Sequence, residues 1–351
     1  MQDEPPRMTT HRIRRSLGVA LVAGGAALLP LAAAPARAQT LPPPDPRGTF
    51  HALSENDSYT LLGPSSDKYY TNGVRLGWTS AEGNLPVFMQ GLDNGLTGLL
   101  GPANSRWGLG IGQNIFTPED TLRRNPDPRD RPYAGYLYGN LTLDRRTWTT
   151  LDRFELQAGV VGPSSLGRQA QDFVHDVLGD RRPRGWHYQL RDEPVFNINA
   201  ERIWRVPLAG SPGGLGADAL PDVGAMLGTV RVSASAGARI RIGQGLERDF
   251  GVPRIRPAIA DAPAPIGEGF GWYLFGGVGG SVVGRDIFLD GNTWRDSRSV
   301  DHRPFVGDLE AGAAVFWHGV RLSYTQVWRS KEFVGQRKEF TFGALSLAFA
   351  F

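Results

Sequence analysis

Gln171 and His175 stand four residues apart in the stretch GPSSLGRQAQDFVHDVLG (Gly162–Gly179), one turn apart on a common helical face. An imidazole titrates near neutrality, so a histidine placed this way suits proton transfer from a water. Asn56–Asp57 sets an amide beside a carboxylate, and a carboxylate is a hard oxygen ligand for a divalent cation. Arg123–Arg124 offers two guanidinium forks whose geometry matches phosphate oxygens. Thr71 adds a hydroxyl. Taken singly each has a plain structural reading: Asn-Asp caps turns, paired arginines form a solvated face, and a histidine in a helix is ordinarily structural. Only their convergence on one place makes a site.

The elements that would gather them read as strands. The closing segment EFTFGALSLAFAF sets Leu345, Leu347, Phe349 and Phe351 on one face and ends on an aromatic residue. In YYTNGVRLGWTS, Tyr70, Val74, Leu76 and Trp78 share one face and Thr71, Gly73, Arg75, Gly77 and Thr79 the other. RFELQAGVVG opposes Phe154, Leu156, Ala158 and Val160 to Arg153, Glu155 and Gln157, and VRLSYTQVW opposes Val320, Leu322 and Tyr324 to Arg321, Ser323 and Thr325. About twelve such segments, an even number, predict a transmembrane antiparallel β-barrel with apolar side chains toward lipid. The competing architecture is a soluble β-sandwich. Leu208–Pro221 and Gly251–Gly269 read as long Gly/Pro-rich connections, and the stretch from Ala81 to Ser105 as a connection able to hold a short amphipathic segment.

Against this background the helical spacing of Ala170, Val174, Val177 and Leu178 marks a short helix in a loop. With the amino terminus in the periplasm, the first strand (Gly48–Asn56) rises and the second descends from Tyr69. The third spans about Arg106–Phe116, the fourth descends through PYAGYLYGNLTLD, and the fifth rises to Val161. Asn56–Asp57, Thr71, Arg123–Arg124 and the Gln171–His175 helix then fall at the outer end of one barrel sector. Asn56 and Thr71 are expected across the hairpin from each other.

The leader agrees with export. Arg12, Arg14 and Arg15 precede the apolar run Leu17–Ala34, and ARA at Ala36–Ala38 matches a signal-peptidase site. Residues 1–38 are expected to be a signal peptide and 39–351 the outer-membrane barrel. Of 38 basic and 35 acidic residues, five arginines and two acids lie in that leader, so the remainder is neutral and predicts no nucleic-acid partner. The absence of cysteine excludes disulfides, a thiol nucleophile and a thiolate metal site.

Six pieces, in order, carry a family resemblance: END (Glu55–Asp57), DKYYTNGVRLGWTS (Asp67–Ser80), GQNIFTP (Gly112–Pro118), DRPYAGYLY (Asp130–Tyr138), VVGPSSLGRQAQDFVHDVLG (Val160–Gly179) and GWHYQLRDEP (Gly185–Pro194). On these the chain resembles the outer-membrane lipid A 3′-O-deacylases. The resemblance implies a twelve-stranded barrel that removes the 3′-acyloxyacyl group of lipid A within lipopolysaccharide, with calcium as its divalent cation and no oligomer required. It places the family's Asn-Asp pair on Asn56 and Asp57, its threonine on Thr71, and its Gln and His on Gln171 and His175. A basic pair aligns with Arg123 and Arg124, while one acidic position after the helix has only Asp180 nearby. From the residue types, His175 is the expected general base and Asp57 the metal ligand, with Asn56, Thr71 and Gln171 orienting by hydrogen bonds. Two alternatives remain, a lipase acting on other lipids and a non-catalytic porin. The His-x-Ser motif of the outer-membrane phospholipase barrels does not occur in this sequence.

Overall fold

The computed structural model describes residues 40–61, 68–255 and 266–351, so the expected signal peptide lies outside the described residues. From Leu41 on, the chain is one compact unit.

The strands follow the alternation closely. β1 (Thr49–Asn56), β2 (Tyr69–Thr79), β3 (Asn104–Thr117), β4 (Ala134–Arg146), β5 (Thr150–Val161) and β6 (Glu193–Trp204) pair antiparallel in sequence order. β7 (Val206–Gly210), β8 (Leu215–Gly228), β9 (Arg231–Gln244), β10 (Gly271–Asp286), β11 (Phe305–Trp317), β12 (Val320–Arg329) and β13 (Phe340–Ala350) complete the sheet, and β13 pairs with β1. β6 and β7 both pair with β8, Ile203 opposite Asp222 and Val206 opposite Ala219. They form one wall strand broken at Arg205, and the result is a closed antiparallel barrel of twelve strands. Both ends of the barrel domain sit at one rim, where Gly48 accepts the Phe351 N–H. This is the near rim; the far rim carries the β1–β2, β3–β4 and β5–β6 loops.

Closure sorts the two faces as the pattern requires. Leu156, Leu322, Leu347 and Phe349 are exposed on the outer wall, while Arg153, Glu155, Gln157, Arg321 and Ser323 are buried inside. Hydrogen bonds and ion pairs cross the lumen. Arg75 pairs with Glu155, and Gln157 and Asn199 also donate to that carboxylate at 2.6 and 2.8 Å. Arg254 bridges Asp308 and Glu310 at 2.8 and 2.7 Å, and Arg329 joins Asp308 at 2.7 Å. Arg254 arrives not from a strand but from the β9–β10 connection, whose next residue, Ile255, lies against β1, its N–H donating to Glu55 at 2.9 Å.

Two expectations need correction. Tyr70 does not share the outer face with Val74 and Leu76; it is buried in the lumen between Phe116 and Phe342. The cause is a β-bulge between Tyr70 and Asn72, whose extra residue, Thr71, shifts the face on which every earlier side chain falls. The Leu208–Pro221 stretch is not a long connection. It holds the end of β7, a short turn and the first half of β8.

Among the described residues three α-helices decorate the barrel: α1 (Val87–Leu100) at the near rim, α2 (Gly167–Leu178) at the far rim and the single turn α3 (Ile287–Asp290), also at the far rim. α1 realises the amphipathic segment expected between the second and third strands.

Candidate active site at the far rim

The β1–β2 hairpin builds the first half of the site. Asn56 pairs across the hairpin with Asn72 rather than Thr71, its Nδ2 donating to Asn72 Oδ1 at 3.3 Å. The β1–β2 ladder keeps one register from Thr49–Thr79 to Asn56–Asn72, one residue off the expected pairing. Asn56 Oδ1 accepts the Ser58 N–H at 2.7 Å in an Asx turn that ends the strand. Asp57 is 1% exposed, and its Oδ2 accepts the Lys68 N–H at 2.7 Å. Its own N–H reaches the Thr71 carbonyl at 3.4 Å. Thr71 is buried with its hydroxyl 2.7 Å from that of Thr117 at the end of β3. Asn56, Asp57 and Thr71 are therefore one hydrogen-bonded group, with Asn72, Ser58, Lys68 and Thr117 as its immediate neighbours.

The β5–β6 loop builds the second half. A 3₁₀ turn at Pro163–Ser165 and a left-handed Leu166 redirect the chain into α2. The helix can lie directly on the wall because Gly167 meets Gly135 of β4; a Cβ on Gly167 would stand 2.9 Å from the Gly135 Cα. Gln113 of β3 fixes the preceding turn by donating to the Ser165 carbonyl at 2.7 Å. Ala170 packs against Ile115, Tyr133 and Trp186. Gln171 is buried, and its Oε1 accepts the Trp186 indole N–H at 2.9 Å. The opposite side of the helix is open: Phe173, Val174, Val177 and Leu178 are all exposed. Of the expected apolar stripe, only Ala170 packs on the wall.

His175 closes this loop chemically. Its Nδ1 lies 2.9 Å from the Arg181 carbonyl oxygen. A carbonyl only accepts, so Nδ1 carries the proton and the Nε2 lone pair becomes the basic position. The helix ends at Gly179 in the left-handed conformation, with Gly179 N–H to the Asp176 carbonyl and Asp180 N–H to the His175 carbonyl at 2.8 Å. This Schellman closure makes the histidine's backbone part of the helix stop and fixes where its side chain starts. Asp180 enters through its backbone. Asp176, one residue past the histidine, pairs with Arg182, whose hydrogen bond lowers its pKa.

Arg123 and Arg124 lie exposed in the β3–β4 loop. Arg123 lines a cleft of about 390 Å³ between this loop and the β12–β13 loop, with Tyr69, Glu119, Asp127, Asp130 and Arg337. Arg124 is not among its lining residues. Within the cleft, hydrogen bonds from Arg129 hold the Asp127 carboxyl down to about 2, while burial raises Asp130. The described bonds thus join Asn56, Asp57 and Thr71 in one group, and Gln171 and His175 within the loop of α2. Arg123 lines a separate cleft, whose lining includes none of those five residues.

Every loop that carries these residues leaves the same rim, and the comparisons say what kind of barrel this is. The sequence profile of the family described as outer membrane protein LpxR matches residues 25–351. The chain belongs to the LpxR family. Among solved structures it is similar to LpxR from Salmonella typhimurium, at 20% identity and a TM-score of 0.69 over 86% of this chain and 100% of that one. The β-domain of the Bordetella autotransporter BrkA aligns with a TM-score of 0.40 at 10% identity, covering 88% of this chain and 99% of that one. Comparison with curated proteins finds no match. As an LpxR-family barrel the chain is a bacterial outer-membrane protein, and the long-looped far rim is the outer one.

Sequence reasoning missed the residues that hold the LpxR-family motifs together. Trp186 lies in the quoted GWHYQ piece and Thr117 ends the GQNIFTP piece, yet neither had a role until the fold brought them to Gln171 and Thr71. Lys68 acts through its backbone N–H, for which side-chain type gives no signal. The bulge between Tyr70 and Asn72 is equally silent in the alternation.

Proposed function

We propose that this chain is an outer-membrane ester hydrolase that removes the 3′-linked acyloxyacyl group of lipid A. Membership of the LpxR family carries the reading, and the described geometry at the outer rim supports it. The substrate lies in the outer leaflet, and the rim meets it with two surfaces. The exposed face of α2 (Phe173, Val174, Val177, Leu178) offers contact to acyl chains immediately beside His175. Arg123 and Arg124 offer guanidinium groups to the lipid A phosphates.

In this reading His175 Nε2 takes a proton from a water as the water oxygen bonds to the ester carbonyl carbon. The carbon–oxygen bond to the sugar then breaks, and the same imidazolium returns the proton to the departing hydroxyl. The Arg181 carbonyl keeps Nδ1 protonated throughout and stabilises the imidazolium. Trp186 holds Gln171 one turn away, which fixes the helix face that presents the base.

The donor set of the β1–β2 group fits calcium in kind. It consists of hard oxygens: the Asp57 carboxylate, Asn56 Oδ1, and the Thr71 hydroxyl and carbonyl. Among the described residues no group of three His, Asp or Glu side chains gathers, so neutral oxygens and substrate would complete the shell. A bound calcium ion would supply a positive charge for the developing oxyanion.

Mass spectrometry of lipid A from cells with and without this chain tests the proposal. The expected result is loss of one acyloxyacyl group on expression. An unchanged lipid A profile with the folded barrel in the outer membrane contradicts it.

A further inference from the structure

α1 sits at the near rim, between β2 and β3, with an amphipathic pattern that no part of the described protein uses. Its attachment to the barrel is one-sided. Asp93 Oδ1 accepts from Arg145 Nε at 2.8 Å and from the Ser105 hydroxyl at 2.7 Å. Arg145 Nη2 also donates to the Thr97 hydroxyl and the Gly101 carbonyl, each at 2.8 Å. Met89, Asp93 and Thr97 follow at i, i+4 and i+8 and define the face toward the barrel, with Met89 buried. Phe88, Leu92 and Leu99 lie on an adjacent face and stay 69, 53 and 79% exposed. Gln90 and Asn94, on the remaining face, are exposed and polar.

This helix is a poor candidate for life in water. Fourteen residues are marginal for an isolated helix, and Gly91, Gly95 and Gly98 each weaken it further relative to alanine. Such a helix needs an apolar partner, and its surroundings name one. Trp78 and Trp107 meet edge to face at 5.2 Å where the chain leaves β2 and enters β3. Exposed Trp148 and Trp317 stand at two other near-rim turns, and Phe351 stacks on Phe50 at 5.1 Å. A ring of aromatic side chains at a barrel rim marks the level of the lipid headgroups. α1 lies in the connection that Trp78 and Trp107 bracket.

We propose that α1 is an interfacial anchor, lying along the inner leaflet of the outer membrane with Phe88, Leu92 and Leu99 among phospholipid acyl chains and Gln90 and Asn94 toward the periplasm. Burying that face supplies the stabilisation that the barrel does not, in the manner of in-plane amphipathic helices. The anchor also ties the β2–β3 connection to the membrane surface through Arg145, whose guanidinium holds Asp93, Thr97 and Gly101 together.

The sequence contains no cysteine, which permits a clean test in the full-length protein. Leu92→Cys, Leu99→Cys and Asn94→Cys, each carrying a polarity-sensitive fluorophore, are refolded into vesicles of phosphatidylethanolamine and phosphatidylglycerol. Vesicles with nitroxides on the acyl chains, or iodide in the water, serve as quenchers. All three sites are exposed, so each variant is expected to keep the heat-modifiable migration of a folded barrel. The anchor predicts acyl-nitroxide quenching at 92 and 99 at least about twofold above that at 94, and the reverse order with iodide. Equal iodide access at all three positions overturns it. So does shielding at 92 and 99 that grows with protein density and ignores the acyl nitroxides, which would mean a protein partner on that face.

Discussion

The lumen and the candidate residues at the outer rim both involve buried polar side chains, and their described partners differ in kind. In the lumen, carboxylates meet guanidinium groups: Glu155 with Arg75, Asp218 with Arg241, Asp308 and Glu310 with Arg254. Charges cancel at close range, which fills the barrel and fixes strand register. At the rim the described bonds to the candidate residues come from neutral groups. Asp57 takes a backbone N–H, Asn56 takes another, Gln171 takes an indole N–H, and His175 donates to a carbonyl. Neutral partners orient a group without neutralising it. The comparison teaches that burial alone does not single out the candidate residues in this barrel; the kind of described partner does.

That contrast can be broken at either end. The largest effect is expected from Asp57→Asn, which keeps the shape and removes the charge. Lipid A hydrolysis should fall about 10²–10³-fold, the scale for losing one charge-stabilising group, with thermal unfolding nearly unchanged. Calcium chelation should lower wild-type activity similarly and leave the variant where it is, as read by lipid A mass in detergent micelles. Arg254→Met is the mirror image. Leaving Asp308 and Glu310 short of a buried partner should cost about 3–5 kcal/mol of stability, while activity per folded molecule stays close to wild type. Similar activity losses in both variants, without a stability difference, would erase the distinction.

Smaller changes sharpen it. Thr117→Val removes the hydroxyl that holds Thr71, at about 1 kcal/mol in stability. Hydrolysis should drop by up to about tenfold through misplacement of Thr71. The least effect is expected at Asp127, in the rim cleft. Arg129 lowers its carboxyl to about 2, so the pair's contribution is present above the ordinary carboxylate range near 4 and is lost as pH falls toward about 2. Asp127→Asn should therefore lower the thermal midpoint slightly at neutral pH, and its difference from wild type should shrink as pH falls toward about 2, by calorimetry across pH.

Much of the wall was legible because lipid on one side and paired charge on the other force strict alternation. β5, β12 and β13 show both faces directly in sequence. β2 fails at one residue, since a bulge adds Thr71 without interrupting the local pattern. β8 was hidden for a different reason. Its Pro221 argues against an interior strand, yet it sits beside the break at Arg205, between the Ile203–Asp222 and Val206–Ala219 pairs, where its missing N–H is tolerated. At the site, residue types on one's own element were readable: His175 and Gln171 from helical spacing, Asn56–Asp57 from the strand end. Their holders were not. Trp186 is fifteen residues from Gln171 and Thr117 forty-six from Thr71, and only the fold supplies those contacts.

The central claim is that His175 Nε2 is the base of a lipid A deacylation. Purified wild-type protein and His175→Ala, both shown to be folded barrels, are to be compared on lipopolysaccharide in calcium by lipid A mass spectrometry. The account predicts release of the acyloxyacyl group by wild type and a rate about 10²–10⁴-fold lower for the variant. Deacylation by His175→Ala at the wild-type rate contradicts it.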